Sequence, residues 1–306
     1  MTDPQISAGQ AFHDWLRALE DRHLADLRVQ EVTRALRALS SVYVERRGAL
    51  HRGAALDGAG KRAAFALFYG PLHYLVVRRI VDALGVPANA IESVVDLGCG
   101  TGAAGAAWAT ALTEASGAGP RVLGIDRHPW AVAEARWTYR TMGLSGSARR
   151  DEVARVRLQG RRAAIVVAFT VNELADADRE ALLPRLVRTV QAGAHVLVVE
   201  PVARSIGEWW QQWADAFRQA GGREDAWRFE ADLPERLRVL DRAAGLDHRV
   251  LTARSLFAGP GSQGSGLQAP GSRGPTPDTG RRTPDCDSPR VRRSDTGHRT
   301  SDTGRR

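Results

Sequence analysis

The chain has 306 residues and is 43% hydrophobic, enough for one large α/β domain with an appendage or for two small domains. No stretch approaches the ~20 apolar residues of a membrane helix, and the N-terminal MTDPQISAGQ lacks the pattern of a signal peptide. We therefore expect a cytoplasmic protein with no membrane partner. Of the formal net charge of +8, residues 259–306 contribute +4 through nine Arg and five Asp, so the remainder is too weakly basic to indicate nucleic acid by itself. The two cysteines, Cys99 and Cys286, do not make a disulfide framework, and no set of His, Cys and acidic residues has metal-ligand spacing.

Residues 11–47 place apolar side chains at steps of three and four with charged residues between them, which predicts one or two amphipathic helices. Turn-forming residues at 51–60 end this pattern, and residues 61–84 predict a second helical stretch. Residues 1–90 are thus predicted to form a helical N-terminal extension ahead of the first strand.

The second helical stretch is interrupted in the sequence by Gly70 and Pro71, which predicts a break there. Two placements of the stretch remain open. In one, it covers a ligand pocket and points Tyr69, His73 and Tyr74 into it. In the other, it packs on the edge of the sheet, as buried helices commonly do.

A glycine-rich turn follows the first predicted strand. Residues 94–97 are apolar apart from Asp96, glycine then recurs at every second position, and residues 106–112 have the composition of a helix. This pattern predicts a buried strand, a tight turn and a helix N-terminus. Because glycine has no Cβ, the backbone can turn with positive φ and a ligand can lie against it, facing the unpaired N–H groups of the helix.

Two ligand classes use such a turn, and a turn that binds no ligand is the third possibility. A dinucleotide site places a pyrophosphate on the helix N-terminus and spaces its glycines G-x-G-x-x-G. Here the spacing is G-x-G-x-G, and Asp96 stands two residues ahead of Gly98. A carboxylate at that place would repel a pyrophosphate but suits the ammonium group of an amino-acid moiety. The sequence therefore favours a ligand that carries an amino-acid moiety over a dinucleotide.

The segment VVDLGCGTG, residues 94–102, resembles motif I of the class I S-adenosylmethionine-dependent methyltransferases. The resemblance implies an α/β, Rossmann-like fold with a doubly wound, mostly parallel sheet. It also implies S-adenosylmethionine as the cofactor. The motif positions expected at the cofactor site are Asp96, Gly98, Gly100 and Gly102.

Acids follow the next two predicted strands. Residues 121–126 predict a strand that ends at Asp126, 24 residues past Gly102. An acid at about this distance accepts hydrogen bonds from ribose hydroxyls in mononucleotide-binding α/β units, and capping the following helix is the alternative role. Residues 145–150 are the candidate for strand three. Asp151 after it is either an acceptor for the adenine amine or a solvated surface residue.

Residues 163–169 form a continuous apolar run, as expected of a central parallel strand. Ligands in open α/β sheets sit at the carboxyl ends of the strands, so Asn172 and Glu173 are placed where the substrate meets the methyl donor. Glu173 is a candidate to orient a donor group or to act as a base, and both residues are the predicted catalytic positions. Asn172 as the cap of a helix that begins near Asp178 is equally open.

The remaining elements are predicted as helices at 178–191, 207–220 and 234–244 and as strands at 195–200 and within 248–258. Five strands that alternate with helices give a doubly wound parallel sheet in a methyltransferase domain at 91–258. The tryptophans of the second helix, Trp209, Trp210 and Trp213, favour packing over the stacking of bases.

Residues 259–306 change composition abruptly to Gly, Pro, Ser, Thr, Asp and Arg, with short repeated units such as SDTGHR and SDTGRR. Such a segment cannot bury enough apolar surface to offset the entropy of ordering it, so it is predicted to be disordered. A low-complexity extension without function is favoured over an arm for nucleic acid, because Asp is interleaved with the Arg.

Short segments outside motif I resemble the mitochondrial small-ribosomal-subunit methyltransferase-like family and its bacterial relatives. They are ALRALSSVYVERRG at 35–48, the helix at 69–74, the steps at 172–174 and 200–201, and LTARSL at 251–256. The resemblance implies the small ribosomal subunit or its RNA as the partner, and that some members act in assembly rather than catalysis. The chain departs from the family at Ala168, commonly Ser, and at Val202, commonly Gly. It also lacks the cysteine cluster that some members use for an iron–sulfur centre.

Three functions follow from the sequence. The first is a methyltransferase that acts on or with ribosomal RNA, the second a non-catalytic assembly factor that keeps the cofactor site, and the third a small-molecule methyltransferase. The loop at 170–173 lacks the Asn/Asp-Pro-Pro-aromatic pattern of nucleic-acid amino methylases, which disfavours that chemistry. No Cys follows strand four or five, which disfavours the covalent route to carbon 5 of pyrimidines.

Overall fold

The computed structural model describes residues 4–45, 56–158, 160–202 and 208–262. The α-helices are α1 (Pro4–His23), α2 (Val29–Glu45), α3 (Ala59–Ala64), α4 (Gly70–Leu84), α5 (Ala103–Ser116), α6 (Pro129–Thr141), α7 (Asp176–Gln191), α8 (Glu208–Gln219) and α9 (Glu235–Ala243). The C-terminal tail was predicted to be disordered from residue 259. From residue 263 onward, this tail lies outside the described ranges.

The strands of the described ranges form one seven-stranded sheet. They are β1 (Ser93–Leu97), β2 (Arg121–Asp126), β3 (Gly146–Arg150), β4 (Ala163–Ala168), β5 (His195–Glu200), β6 (Arg223–Glu230) and β7 (Val250–Ala258). Their order is β3-β2-β1-β4-β5-β7-β6, with β1 to β5 parallel and β7 antiparallel to both of its neighbours. The predicted fold class, a doubly wound and mostly parallel Rossmann-like sheet, is confirmed.

The strand order reverses beside β1, which pairs with β2 on one side and with β4 on the other. At such a switch point the connections leave in opposite directions and open a crevice at the carboxyl ends of the strands. The acids and loops that follow β1, β2, β4 and β5 therefore meet at one edge of the sheet. This edge carries the candidate site.

Two hydrophobic clusters cover the two faces of the sheet. Adjacent β1 residues point to opposite faces, so Val94 belongs to one cluster and Val95 to the other. The first cluster contains residues of α1 to α6 and of α9, and the second contains residues of α7 and α8. In the second cluster Trp210 and Trp213 are buried, which confirms packing for the tryptophans of α8.

The helix through Gly70 and Pro71 is continuous, so the predicted interruption there is wrong. A π-helix (Phe65–Tyr69) joins α3 to α4, and Pro71 stands in the first turn of α4. Proline has no N–H to donate, and its ring crowds the preceding turn. The wider π-helical turn before Pro71 accommodates both effects, so the helix continues through this residue. This segment lies directly over the glycine turn, since a Cβ on Gly70 would touch the Thr101 side chain.

Strand β6 was not predicted from the sequence. Residues 248–258, where more than one closing strand was expected, contain the single strand β7. β6 reads REDAWRFE, and Trp227 is its one fully buried residue, because β6 lies at the edge of the sheet. An edge strand with so few buried residues has no apolar run by which the sequence would predict it. Within the described ranges, no helix is long and apolar enough to span a membrane.

Candidate functional site at the carboxyl edge of the sheet

The glycine turn adopts the backbone that its sequence predicts. Gly98, Gly100 and Gly102 have φ of 72°, 51° and 80°, in the region that L side chains rarely adopt. The backbone N–H groups of Gly98 and Cys99 both donate to the Ile125 carbonyl oxygen, at 2.8 and 3.0 Å. The turn is thereby tied to β2, and α5 begins immediately after Gly102.

Asp96 lies at the bottom of this turn with 1% of its surface exposed. Its Oδ2 accepts a hydrogen bond from the Gly105 backbone N–H at 2.8 Å. Burial raises the pKa of Asp96 to about 7, the Gly105 N–H partly offsets the rise, and the nearby Asp126 adds to it. A cation bound beside Asp96 would restore its ionised form, because opposite charges stabilise each other in a low-dielectric site.

Asp126 ends β2, and it does not cap the following helix, which was the alternative role left open by the sequence. Oδ2 accepts from the Gly100 backbone N–H at 3.0 Å, and Oδ1 accepts from the His128 N–H at 2.8 Å. His128, not Asp126, is the N-cap of α6, and its Nδ1 accepts from the Trp130 N–H. Burial raises the pKa of Asp126 despite these hydrogen bonds.

A cavity of about 520 Å³ opens at this edge of the sheet. Six of the eight predicted site residues line it: Asp96, Gly98, Gly100, Asp126, Asn172 and Glu173. Gly102 lies behind them, against the ring of Tyr139. Asp151 is half-exposed outside the cavity, where it pairs with Arg149 at 3.3 Å, while its neighbour Glu152 lines the cavity.

The far end of the cavity, below β4 and β5, carries two further acids. Asn172 lies in a 3₁₀ turn (Val171–Glu173) and does not cap α7, whose N-cap is Ala175. The Asn172 backbone N–H donates to Glu200 Oε1 at 3.2 Å. Burial raises the pKa of Glu173 to about 7 and that of Glu200 to about 8. Glu200 ends β5 and was not among the predicted site residues, although Asp96 and Asp126 lie at the ends of their strands in the same way.

Aromatic side chains form the wall above these acids. Tyr69 from the π-helix and His73 from α4 line the cavity, as the first of the two open placements requires. Tyr74 does not, because its ring stacks on Phe12 of α1 with centroids 4.7 Å apart. His73 stacks on Phe169 with centroids 3.9 Å apart, and burial lowers the pKa of His73 to about 3, which keeps it neutral.

Phe169 and His248 are cavity residues that the sequence analysis missed. Phe169 has a φ of 56°, an unusual backbone for a bulky residue, and such strain is common at functional sites. Its N–H donates to the Val199 carbonyl oxygen at 2.8 Å. His248 lines the roof, held by the buried Asp241, which binds both its backbone N–H and its ring Nδ1. No local pattern marks either residue, since both depend on contacts between distant segments.

The donor set fits S-adenosylmethionine at the β1 and β2 side of the cavity. Asp96 offers a carboxylate to an ammonium group, and its Oδ1 has no hydrogen-bond partner among the described residues. Asp126 offers a carboxylate to ribose hydroxyls. Gly100, which lines the cavity, has a φ of 51°, a backbone conformation that L side chains rarely adopt. Within the described residues, no group of His, Cys, Asp and Glu is arranged to hold a metal ion.

Comparisons with known proteins agree with this geometry. Residues 94–193, about a third of the chain, match the profile of a methyltransferase domain family. The domain match supports a methyltransferase with S-adenosylmethionine as its cofactor. It gives no support to the narrower mitochondrial small-ribosomal-subunit family. No curated protein matches the sequence.

Solved structures with a similar fold include three methyltransferases. A TehB-like SAM-dependent methyltransferase from Corynebacterium glutamicum is 18% identical over 60% of this chain and 86% of its own, with a TM-score of 0.38. A SAM-dependent methyltransferase from Aquifex aeolicus is 18% identical over 61% and 90%, with a TM-score of 0.40. The mitomycin 7-O-methyltransferase MmcR is 14% identical over 72% and 60%, with a TM-score of 0.44.

Proposed function

We propose that the protein is an S-adenosylmethionine-dependent methyltransferase that methylates a small molecule inside the cavity. The observation that carries the proposal is the continuity of this cavity along the carboxyl edge of the sheet. One end holds Asp96 and Asp126, and the other holds Glu173, Glu200 and an aromatic wall. The first end suits the cofactor, and the second offers room and polar groups for an acceptor.

S-adenosylmethionine, when bound, supplies a methyl group on a sulfonium for in-line displacement by a nucleophile. The residues of the chain contribute positioning, which accounts for most of the acceleration in such a reaction. Asp96 binds the ammonium group and Asp126 the ribose. Tyr69, His73 and Phe169 exclude water and hold the acceptor against the methyl group.

Ribosomal RNA or the small ribosomal subunit, implied by the resemblance of the flanking segments, is the alternative acceptor. The lining of the cavity weighs against it, because it has five acids, Asp96, Asp126, Glu152, Glu173 and Glu200, where phosphate groups need basic partners, and Arg127 is the arginine among the lining residues. A nucleobase without its phosphates nevertheless fits an aromatic wall. A role in assembly without turnover is the third possibility and requires cofactor binding alone.

The experiment is calorimetric titration of the full chain with S-adenosylmethionine, followed by transfer of radiolabelled methyl groups. The acceptors offered are a metabolite extract and 30S subunits. Binding with label in the extract supports the proposal. Label on the subunits supports the ribosomal alternative, and binding without label in either supports an assembly role. A chain that does not bind the cofactor overturns the proposal.

A further inference from the structure

His248 lies at the acceptor end of the cavity because of the register between β5 and β7. The two strands are antiparallel, and Arg254 of β7 pairs with Glu200, the last residue of β5. The residues that precede Arg254 therefore extend past the carboxyl end of β5, and His248 lines the cavity there. Its ring centroid lies 6.0 Å from that of Phe68, in the π-helix over the glycine turn. In the strand order, β1 and β4 separate this position from β2 and the ribose end.

A buried carboxylate orients the His248 ring. Asp241 of α9 has 3% of its surface exposed, and its Oδ2 accepts from the His248 backbone N–H at 2.8 Å. Its Oδ1 contacts the ring Nδ1. Because a carboxylate can only accept, Nδ1 carries the hydrogen, and Nε2 on the other side of the ring keeps its lone pair. Nε2 has no hydrogen-bond partner among the described residues, so it is free to take a proton.

Two other histidines line the cavity, and neither is a comparable base. Burial lowers the pKa of His73 to about 3, so this ring holds a proton too weakly. The Nδ1 of His128 accepts from the Trp130 N–H at 3.2 Å, so in a neutral ring its Nε2 carries the hydrogen. His128 also follows β2, at the cofactor end of the strand order. His248 is thus the histidine suited to act on an acceptor.

Two acids at the acceptor end are the rival bases. Burial raises the pKa of Glu200 to about 8, so at pH 7 this carboxyl group is mostly protonated and suited to donate a hydrogen bond. The pKa of Glu173 is about 7, and the charge of Arg127, another lining residue, favours its ionised form. Glu173 is therefore the rival that an experiment must separate from His248.

The acceptor class follows from the base and from the aromatic wall. A neutral amine attacks a methyl group without first losing a proton, whereas a hydroxyl needs a base. A phenolic hydroxyl has a pKa of about 10 and an aliphatic one is close to water, at about 15.7, so an imidazole deprotonates a phenol far more readily. Phe65, Tyr69 and Phe169 line the cavity and offer ring faces and edges to an aromatic acceptor.

We propose that the acceptor is a small phenol and that His248, oriented by Asp241, takes its hydroxyl proton as the methyl group is transferred. This inference rests on the proposed function, because it names the acceptor class and the base for the same cavity. His248 is then a catalytic residue that touches the substrate. Asp241 is a positioning residue that acts through His248.

Atoms and electrons balance in a single displacement. His248 Nε2 takes the hydroxyl proton, and the phenol oxygen forms a bond to the methyl carbon as the C–S bond breaks. The electron pair of the C–S bond stays on sulfur, so the positive charge of the sulfonium is replaced by that of the His248 imidazolium. The Asp241 carboxylate stabilises this imidazolium. The products are S-adenosylhomocysteine and an aryl methyl ether, and His248 then returns its proton to solvent.

The test measures radiolabelled methyl transfer by the full chain to phenols and to non-phenolic counterparts. The phenols are phenol, catechol and 2-naphthol, and the counterparts are cyclohexanol and aniline. We expect transfer to at least one phenol and about 100-fold less to either counterpart, because neither presents an acidic hydroxyl to the base. Calorimetric titration with S-adenosylmethionine is carried out first, so that cofactor binding is known independently of transfer.

Variants of His248 separate the loss of a base from a change in the fold. His248→Asn keeps an N–H donor toward Asp241 but removes the base. We expect unchanged thermal melting and cofactor affinity, with kcat lower by about 100-fold, the lower end of general-base contributions. His248→Gln serves the same purpose if the first variant does not fold. His13→Asn, on the exposed face of α1, is the matched control and should behave as the unaltered protein.

An acidic phenol gives a readout that a merely structural role of His248 would not produce. The nitro group of 4-nitrophenol makes it far more acidic than phenol, so at mildly alkaline pH it ionises without a base. We expect His248→Asn to keep about a third or more of the parent rate with 4-nitrophenol while it loses about 100-fold with phenol. Asp241→Asn keeps an acceptor for the His248 backbone N–H and should show the same selectivity with a smaller loss.

Four outcomes overturn the inference while the proposed function stands. The first two are cofactor binding without transfer to any of the phenols, and transfer to aniline or cyclohexanol in preference to them. The third is an equal loss with phenol and 4-nitrophenol in a His248 variant that melts and binds the cofactor as the parent does. The fourth is a selective loss with phenol in Glu173→Gln and none in His248→Asn, which would make Glu173 the base. A chain that does not bind S-adenosylmethionine overturns the proposed function, and the inference with it.

Discussion

Asp96 at the end of β1 and Gly105 in the first turn of α5 are joined directly, since Asp96 Oδ2 accepts from the Gly105 N–H at 2.8 Å. A Cβ on residue 105 would lie 3.0 Å from the Asp96 carboxyl group, so a bare backbone is needed for this approach. The hydrogen bond fixes one carboxylate oxygen to the helix N-terminus and leaves the other toward the cavity. The strand, the helix and the cofactor site are thus coupled through a single side chain.

Replacing Asp96 with Asn is predicted to weaken S-adenosylmethionine binding 10- to 100-fold, because a hydrogen bond to a charged group contributes ~1.5–3 kcal/mol. The amide oxygen can still accept from the Gly105 N–H, so the unliganded variant should melt no lower than the parent chain. Calorimetric titration and thermal melting measure the two quantities. Asp21→Asn, on the exposed face of α1, is the control, and equal affinities for Asp96→Asn and the parent would contradict the assignment.

The affinity for S-adenosylmethionine is predicted to depend on pH through Asp96. The pKa of Asp96 is about 7 without ligand, so about half of the molecules carry the proton at pH 7, and a cationic ligand must displace it. The affinity should therefore fall about 15-fold as the pH drops from 7 to 5.5. Asp126, whose pKa is also raised and which faces Asp96, adds an effect of the same sign.

Titrations between pH 5.5 and 7 avoid the loss of the ligand's own α-amino proton, which has an ordinary pKa of about 7.7–8. Repeating them in buffers of different ionisation enthalpy measures proton release directly. The Asp96→Asn variant should show a flatter profile. An affinity that is constant over this range, or that rises toward acid, would show that Asp96 is already ionised in the unliganded protein.

The elements that the sequence predicts well are the ones whose local pattern matches their burial. β4 and β5 are buried throughout, and each reads as an apolar run. The glycine turn is likewise specified locally, because three residues with positive φ stand between a buried strand and a helix. Acids at the ends of β1, β2 and β5 line the same cavity, so a rule based on strand ends predicts most of the site.

What the sequence does not predict depends on contacts between distant segments. Tyr74 turns away from the cavity because Phe12, far along the chain, supplies a stacking partner. β6 is charged because it lies at the sheet edge, and only the register with β7 identifies it as a strand. His248 enters the site through Asp241, whose carboxylate holds it across the turn between α9 and β7.

The Gly98→Ala substitution is predicted to destabilise the protein more than Gly117→Ala does. Both glycines have positive φ, 72° and 74°, so both substitutions carry the backbone cost of about 1–2 kcal/mol. A Cβ on residue 98 would also overlap the Thr170 side chain, whereas nothing lies within 4 Å of one on residue 117. The overlap adds a further 1–3 kcal/mol, and urea unfolding of the two variants measures the difference. Equal unfolding midpoints would show that the 170–173 turn moves aside freely.

The acid after β3 that matters for the cofactor is predicted to be Glu152. Asp151 pairs with Arg149 and accepts from the Glu152 N–H, and Glu152, not Asp151, lines the cavity. Glu152→Gln should weaken S-adenosylmethionine binding, and Asp151→Asn should leave it within two-fold. The reverse order of effects, measured by the same titration, would favour Asp151 as the acceptor for adenine that the sequence suggests.

Removing the Tyr139 hydroxyl is predicted to stabilise the protein. Tyr139 is fully buried, and its Oη has no hydrogen-bond partner among the described residues, so folding desolvates a hydroxyl without compensation. Tyr139→Phe keeps the ring, for which glycine at positions 102 and 146 leaves room. A gain of about 1 kcal/mol would raise Tm by about 2–4 °C, with cofactor affinity unchanged because Tyr139 does not line the cavity.

The control for this prediction is Tyr139→Leu, which removes the ring as well and should lower Tm through the cavity that it leaves. The pair separates the hydroxyl from the packing of the ring, and differential scanning calorimetry measures both variants without ligand. If Tyr139→Phe instead melts below the parent, the hydroxyl has a partner in solution, for which a buried water molecule is the first candidate.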